Sequence, residues 1–294
     1  MTEYRITDVP QPSRLHFRAI EDALIAFSDP RAGAGDWPDR ALCLAIPDAE
    51  GKTVGGLWGR FYYDWLFIEL ICVPEDRRGE KLGSVLLSMA EAQAREWGAV
   101  GVWLDTFSFQ ARGFYEKKGY RLFGEIKDFP PPHKRFYLSK LLDPTGPARV
   151  VHPAIRPIDN PGPEEREAIG HALNLFNDAA LGGDPWPDET LCFTITDATG
   201  GIAGGLWGRS YYRWLHIDLL FVPEKARGRG LGTELLRRAE DVARSRDCIG
   251  VWLDTFSFQA PDYYPRHGYT PFGRLEAYPD EQSRTFFAKR LDRG

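Results

Sequence analysis

The chain carries no excess of positive charge. Its 37 lysines and arginines stand against 42 aspartates and glutamates, giving a formal net charge of −5. Binding to a polyanion is driven by neutralising its phosphates, so nucleic acid is not expected as a partner. A local basic loop for a small phosphorylated molecule is still compatible with this balance. Cysteine is scarce: Cys43, Cys72, Cys192 and Cys248 are the whole supply, and none forms a C-x-x-C pair. Their neighbours are apolar, as in Ile71-Cys72-Val73 and Leu191-Cys192-Phe193, which predicts buried, reduced thiols and a cytoplasmic protein. No run of about 18 apolar residues occurs, so no membrane span is expected. The opening stretch, Met1 to Pro10, lacks the basic and apolar regions of a signal peptide. Also missing are G-x-x-x-x-G-K-[ST], H-E-x-x-H and G-x-S-x-G. The histidines do not pair at metal-ligand spacing, so no metal is expected.

What is present is a repeat. GGLWGR stands at 55–60 and again at 204–209, and GVWLDTFSFQA at 101–111 and again at 250–260. Both pairs are offset by 149 positions. Trp37-Pro38-Asp39 and Trp186-Pro187-Asp188 keep the same offset, as do Val73-Pro74-Glu75 and Val222-Pro223-Glu224. A constant offset means no net insertion between the copies, and a period of this size is a domain rather than a solenoid unit. With 294 residues and 43% hydrophobic content there is material for two cores. The expected division is residues 1–145, a Pro- and Gly-containing linker at 146–153, and residues 154–294.

Within one copy, apolar spacing predicts a helix over 13–27, with a counterpart at 164–179. Strands are expected at 41–47, 54–62 and 65–73, the last closed by Pro74. A Gly-containing basic segment at 78–83 leads into a helix over 84–96. A strand at 100–105, a short helix at 111–118 and strands near 120–126 and 134–141 complete the unit. This is a mixed α/β (α+β) arrangement.

The second copy reads Arg227-Gly228-Arg229-Gly230-Leu231-Gly232-Thr233, between a strand ending in Phe221-Val222 and a helix. The first amides of a helix lack internal partners and, with the helix dipole, form an anion site. Glycines let the backbone approach a phosphate and adopt positive φ. The loop is not a dinucleotide fingerprint, which needs G-x-G-x-x-G directly after a strand. The order strand, R-x-x-G-x-G, helix resembles the pyrophosphate loop of the GNAT superfamily of N-acetyltransferases. A second signal of that family, A-x-x-(F/Y)-Y-x-x-x-G-(F/Y), is matched by Ala111, Phe114, Tyr115, Gly119 and Tyr120, and by Ala260, Tyr263, Tyr264, Gly268 and Tyr269. The likeness spans nearly all of both copies.

That resemblance implies two tandem domains, each a mostly antiparallel sheet splayed between its fourth and fifth strands, with acetyl-CoA as co-substrate in the gap. It implies binding of CoA by Phe221, Val222 and Arg227 to Thr233, and in the first copy by Val73, Arg78, Gly79, Gly83 and Ser84. Tyr264 and Tyr115 match the tyrosine that protonates the leaving thiolate; a phenol is a competent neutral donor at pH 7. Glu69 and Asp218 are aligned carboxylates inside apolar strands, where an unpaired charge is costly, and carboxylates on this strand serve as general bases in the family. For the tyrosines the alternative is a ring packed on the sheet, and for the carboxylates a satisfied ion pair or a sheet-edge position. His216 shares strand parity with Asp218 and is a possible proton relay. Asp105 and Asp254 end the next strand and suit a cationic amine or a turn hydrogen bond equally. Trp37, Tyr62, Tyr63 and Trp65 are duplicated as Trp186, Tyr211, Tyr212 and Trp214. Packing is the default for these rings, and an aromatic acceptor pocket including Tyr212 and Trp214 is the alternative.

The copies differ at the loop. The first reads Arg78-Gly79-Glu80-Lys81-Leu82-Gly83. Lys81 replaces a glycine and is expected to resist positive φ, so the second copy is the better CoA site. Pro261 and Pro265 predict a turn where the first copy has its short helix. The expected activity is acetyl transfer to a small-molecule amine by direct attack, without metal, nucleic acid or membrane, in an internal pseudo-dimer that can be monomeric. A non-catalytic acyl-CoA-binding scaffold and a protein N-acetyltransferase are the alternatives.

Overall fold

The computed structural model describes residues 4–33, 35, 37–146, 150–183 and 186–291, so residues 147–149 of the expected linker lie outside the described residues. The first copy contributes β1 (Arg5–Asp8), α1 (Arg14–Ala32), β2 (Arg40–Pro47), β3 (Thr53–Tyr62), β4 (Trp65–Cys72), α2 (Leu82–Glu96), β5 (Gly101–Phe107), α3 (Arg112–Lys117), β6 (Arg121–Lys127) and β7 (Lys134–Leu141). The second contributes β8 (Arg156–Pro157), α4 (Pro163–Ala180), β9 (Glu189–Thr196), β10 (Ile202–Tyr211), β11 (Trp214–Phe221), α5 (Leu231–Ser245), β12 (Gly250–Phe256), β13 (Thr270–Glu276) and β14 (Ser283–Arg290). A single 3-10 turn, Tyr264–His267, replaces the short helix in the second copy, where Pro265 removes a donor.

The strands form two seven-stranded sheets, ordered β6-β7-β5-β4-β3-β2-β8 and β1-β9-β10-β11-β12-β14-β13. The edge strands are exchanged. β1 of the first copy pairs with β9, and β8 of the second copy pairs with β2. The helices follow: α1 packs on β10 and β11, and α4 on β3 and β4. The division at residues 146–153 therefore separates the sequence repeats, while each sheet takes an edge strand and a covering helix from the other repeat.

Each sheet is covered on both faces. Leu235, Leu236, Ala239 and Ala243 of α5 recur at helical spacing and bury against Leu215, Ile217, Val251 and Leu253. On the opposite face of the first sheet, Ile169 of α4 meets Cys43, Trp58 and Leu70. Ile20 of α1 is its counterpart on the second sheet, and both isoleucines are fully buried. Each such side chain contributes about 1.5–3 kcal/mol by leaving water, so the exchanged helices are bound by apolar burial.

Between the sheets lies a shared cluster whose fifteen buried members include eleven aromatics drawn from both repeats. Its contacts come in reciprocal pairs, as in an isologous dimer. The indole N–H of Trp65 donates to the Ala277 carbonyl at 2.6 Å, and that of Trp214 to the Asp128 carbonyl at 2.8 Å. Tyr278 stacks on Trp65 and Phe129 on Trp214. All four cysteines are free and buried, and burial pushes the Cys192 and Cys248 thiols up to about 11. Among the described residues no helix is long and apolar enough to cross a membrane, and no group of three or more His, Cys, Asp or Glu side chains is placed to hold a metal ion.

Candidate active site

The gap in each sheet begins at a β-bulge. β11 pairs in parallel with β12 only from Trp214 opposite Gly250 to Ile217 opposite Leu253. On its other side Trp207 faces Leu219 and Gly208 faces Ile217, which leaves Asp218 as the extra residue. The first copy repeats the pattern, with pairing to β5 ending at Ile68 and Glu69 left over opposite β3. A bulge bends its strand and re-aims a side chain, so these two carboxylates stand at the mouth of the split. The duplicated glycine of Leu-Trp-Gly-Arg makes this possible: a Cβ on Gly208 would meet the His216 carbonyl oxygen at 2.6 Å.

A cavity of about 390 Å³ fills the second gap. Its walls include Phe221, Val222, Arg227, Gly228, Gly230, Leu231, Gly232 and Thr233. Arg229 stands outside this wall. Gly230 is the N-cap of α5 with φ 81°, so the helix N-terminus, where amides lack internal partners, lies in the cavity wall. A Cβ on Gly232 would meet the Tyr263 hydroxyl at 2.7 Å. Leu24 and Phe27 of α1 close the far side, and the Arg227 guanidinium lies over the Phe27 ring at 4.3 Å. This cavity is thus completed by the other repeat. Glycines at a helix start, a Cβ-free approach and an adjacent guanidinium fit the pyrophosphate of CoA.

The first copy differs from expectation. Lys81 takes the left-handed conformation after all, with φ 62° at the N-cap of α2. An L-residue there costs about 1–2 kcal/mol, which the flanking structure sustains. In this loop Glu80, which stands where the second copy has Arg229, accepts three hydrogen bonds from Arg77. The cavity of this copy, about 330 Å³, is walled by Val73, Arg78 and Tyr115, and does not include Gly79, Gly83 or Ser84.

Tyr264 lines both the cavity over the glycine loop and a second cavity of about 350 Å³. Burial raises its phenol above the ordinary tyrosine value, with the nearby Tyr263 and Asp254 adding to the effect. Tyr115 is raised in the same way. The second cavity holds His216, Asp218, Asp254 and Arg284 of the second copy beside Ser28, Trp37, Tyr62 and Tyr63 of the first. His216 Nδ1 lies 3.1 Å from Asp218, and its ring stacks on Trp252 at 3.6 Å. Nε2 of His216 is buried without a partner. Burial pulls the Asp218 carboxyl up, but the His216 imidazole and the Arg209 guanidinium prevail and hold it below the usual range.

The first copy again diverges. Phe67 replaces His216 and stacks on Trp103. Glu69 is paired with Arg166 of α4 at 3.0 Å, whereas Phe17 occupies the matching place near Asp218.

Asp105 and Asp254 are each engaged by a buried arginine. Arg135 donates to Asp105 at 2.7 and 2.8 Å, and to the Tyr211 hydroxyl at 2.6 Å. Arg284 donates to Asp254 at 2.6 Å and to the hydroxyls of Tyr62 and Tyr278. Two of the expected pocket aromatics fall elsewhere. Trp214 is 1% exposed beneath Phe129, so it has no surface for a ligand. Tyr212 packs against Phe107 of the first repeat and lines neither cavity of the second. Its equivalent, Tyr63, walls the site of the second. Sequence reasoning also missed Leu24, Phe27 and Ser28, whose only signal was a helix with no stated destination.

The family described as "Acetyltransferase (GNAT) family" matches residues 11–120 and 158–269. The chain belongs to it. Acetyltransferase Atu2258 of Agrobacterium fabrum is 39% identical over 128 residues, covering 44% of this chain and 92% of that protein. Blasticidin-S acetyltransferase of Streptomyces morookaense is 46% identical over 106 residues, covering 36% of this chain and 78% of that one. A solved acetyltransferase from Bacillus cereus is 38% identical with a TM-score of 0.42, covering 46% of this chain and 96% of its own. A single repeat thus corresponds to most of a relative, and the chain is a tandem GNAT acyltransferase.

Proposed function

We propose that this protein transfers an acetyl group from acetyl-CoA to a primary amine of a small molecule, in the site of the second repeat. The observation that carries this reading is that Tyr264 borders both the glycine-loop cavity and the cavity containing Asp218. A thioester arm entering along β11 would end where an amine held by Asp218 would lie, which supports direct attack within a ternary complex.

The roles follow from chemistry. Asp218 attracts the ammonium, and the Asp218–His216 pair takes the proton it sheds. The free amine then forms the new C–N bond at the thioester carbon as the C–S bond breaks. Tyr264, kept protonated by burial, gives a proton to the departing thiolate, and the second proton lost by the nitrogen as the amide forms restores the phenol. The small-molecule acceptor is favoured by the aromatic walls from the first repeat, which close the cavity, and by the relative named for blasticidin S.

The test is thiol release from acetyl-CoA across a panel of amines, run on the wild type and Tyr264→Phe. Turnover should fall at least tenfold while CoA affinity changes little. Unchanged turnover would remove Tyr264 from the chemistry. Absence of turnover with every amine, together with tight CoA binding, would favour the scaffold reading.

A further inference from the structure

Six carboxylates line the second cavity: Glu21, Asp29, Asp39, Glu69, Asp218 and Asp254. Four of them meet an arginine: Glu21 with Arg18, Asp39 with Arg60, Glu69 with Arg166 and Asp254 with Arg284. The other two meet an imidazole and a phenol. Asp218 faces His216, and Asp29 accepts a hydrogen bond of 2.7 Å from the Tyr63 hydroxyl. Neither Asp218 nor Asp29, which stand on walls from different repeats, is paired directly with an arginine, and the Arg209 guanidinium acts on Asp218 from beyond its His216 partner. Only one of them is needed for the amine that reacts.

Trp37, Tyr62, Tyr63 and Phe256 line the same cavity as Asp29. The Trp37 and Tyr63 rings lie 5.6 Å apart, and Tyr63 and Phe256 5.1 Å apart. Tyr62 and Tyr63 are 5.9 Å apart. In a cavity with aromatic walls, a carboxylate attracts an organic cation by its charge and the rings add the attraction of their quadrupoles. The placement is strained. Tyr63 and Asp64 form the β3–β4 turn with φ of 49° and 61°, a conformation that costs a bulky residue about 1–2 kcal/mol. Desolvation and the Asp29 carboxylate raise the Tyr63 phenol well above its ordinary value, so it stays a donor.

We propose that the acceptor carries a second cationic group, which Asp29 binds within the frame of Trp37, Tyr62, Tyr63 and Phe256. This rests on the acetyl-transfer reading, with the reacting amine at Asp218. The substrate class is then a diamine, a polyamine or an amine bearing a guanidinium. The first repeat supplies this subsite to the active site of the second.

The experiment compares kcat/KM for putrescine, cadaverine and spermidine with n-butylamine and n-pentylamine, using the full chain. The wild type should prefer the dications by about tenfold or more. Asp29→Asn can still accept from Tyr63, and should bring that ratio close to one. Tyr63→Phe keeps the carboxylate and the ring, and should retain the preference. A wild-type ratio near one, or a ratio unmoved by Asp29→Asn, overturns the proposal. If no amine is turned over, the acetyl-transfer reading fails. Calorimetric binding of spermidine then decides the subsite: about tenfold weaker binding by Asp29→Asn supports it, and equal binding overturns it.

Discussion

Gln259 Nε2 donates to Ser28 Oγ at 2.9 Å, and this bond ties the end of β12 in the second repeat to α1 of the first. The same glutamine accepts from the Phe256 backbone N–H and the Thr255 hydroxyl. Gln110 does the same in the first repeat and donates to Asn177 of α4 at 2.7 Å. The identical segments Gly101–Ala111 and Gly250–Ala260 thus serve the same purpose twice: each holds the helix that the other repeat sends across.

Gln259→Ala would leave the Ser28 hydroxyl and a backbone N–H without partners in a site where Ser28 is 2% exposed. A loss of about 1–3 kcal/mol in unfolding free energy is expected. In a double-mutant cycle with Ser28→Ala the losses should fall short of additive. Full additivity in denaturant unfolding would mean that the bond is not energetically coupled.

The exchange predicts how the halves behave alone. A fragment of residues 150–291 keeps β8 and α4 but lacks β1 and α1. It should form a dimer by reciprocal exchange, covering its aromatic face at the same time. Light scattering checks this, and a stable folded monomer would show that the crossing of α1 and α4 is optional.

The repeat, the element order and the glycine loop that opens α5 were legible in the sequence because each rests on local spacing. The exchange was not. Ile20 and Ile169 carry the same apolar signal whichever sheet they bury against. The Arg135–Asp105 and Arg284–Asp254 pairs join residues 30 positions apart, with a tyrosine from the other repeat, so no short pattern announces them. Lys81 takes a positive φ because the flanking structure overrides the intrinsic preference of an L-residue, which is all that its own identity conveys. Packing, the default for Tyr212 and Trp214, holds for both, and the aromatic rings Trp37, Tyr62 and Tyr63 in the second cavity come from the opposite repeat.

The Asp218 carboxyl is depressed chiefly by His216 and Arg209 against the pull of burial. A depressed carboxylate favours the folded state above its unfolded pKa, and that gain is lost as pH falls through the folded value. His216→Phe, which installs the residue of the first repeat, removes the larger of the two opposing influences. The Asp218 pKa should rise, and the acidic limb of the kcat/KM profile should move to higher pH. An unmoved limb would mean that Asp218 is not the group whose ionisation activity requires.

The central claim is that the second repeat, completed by α1, holds CoA for the reaction. Calorimetric titration with CoA of the wild type, Gly232→Trp and Gly83→Trp tests it most directly. A side chain at 232 meets Tyr263 and fills the cavity, so Gly232→Trp should abolish the tight site, whereas Gly83→Trp should leave it in place. Tight binding that survives Gly232→Trp and disappears in Gly83→Trp would contradict the account.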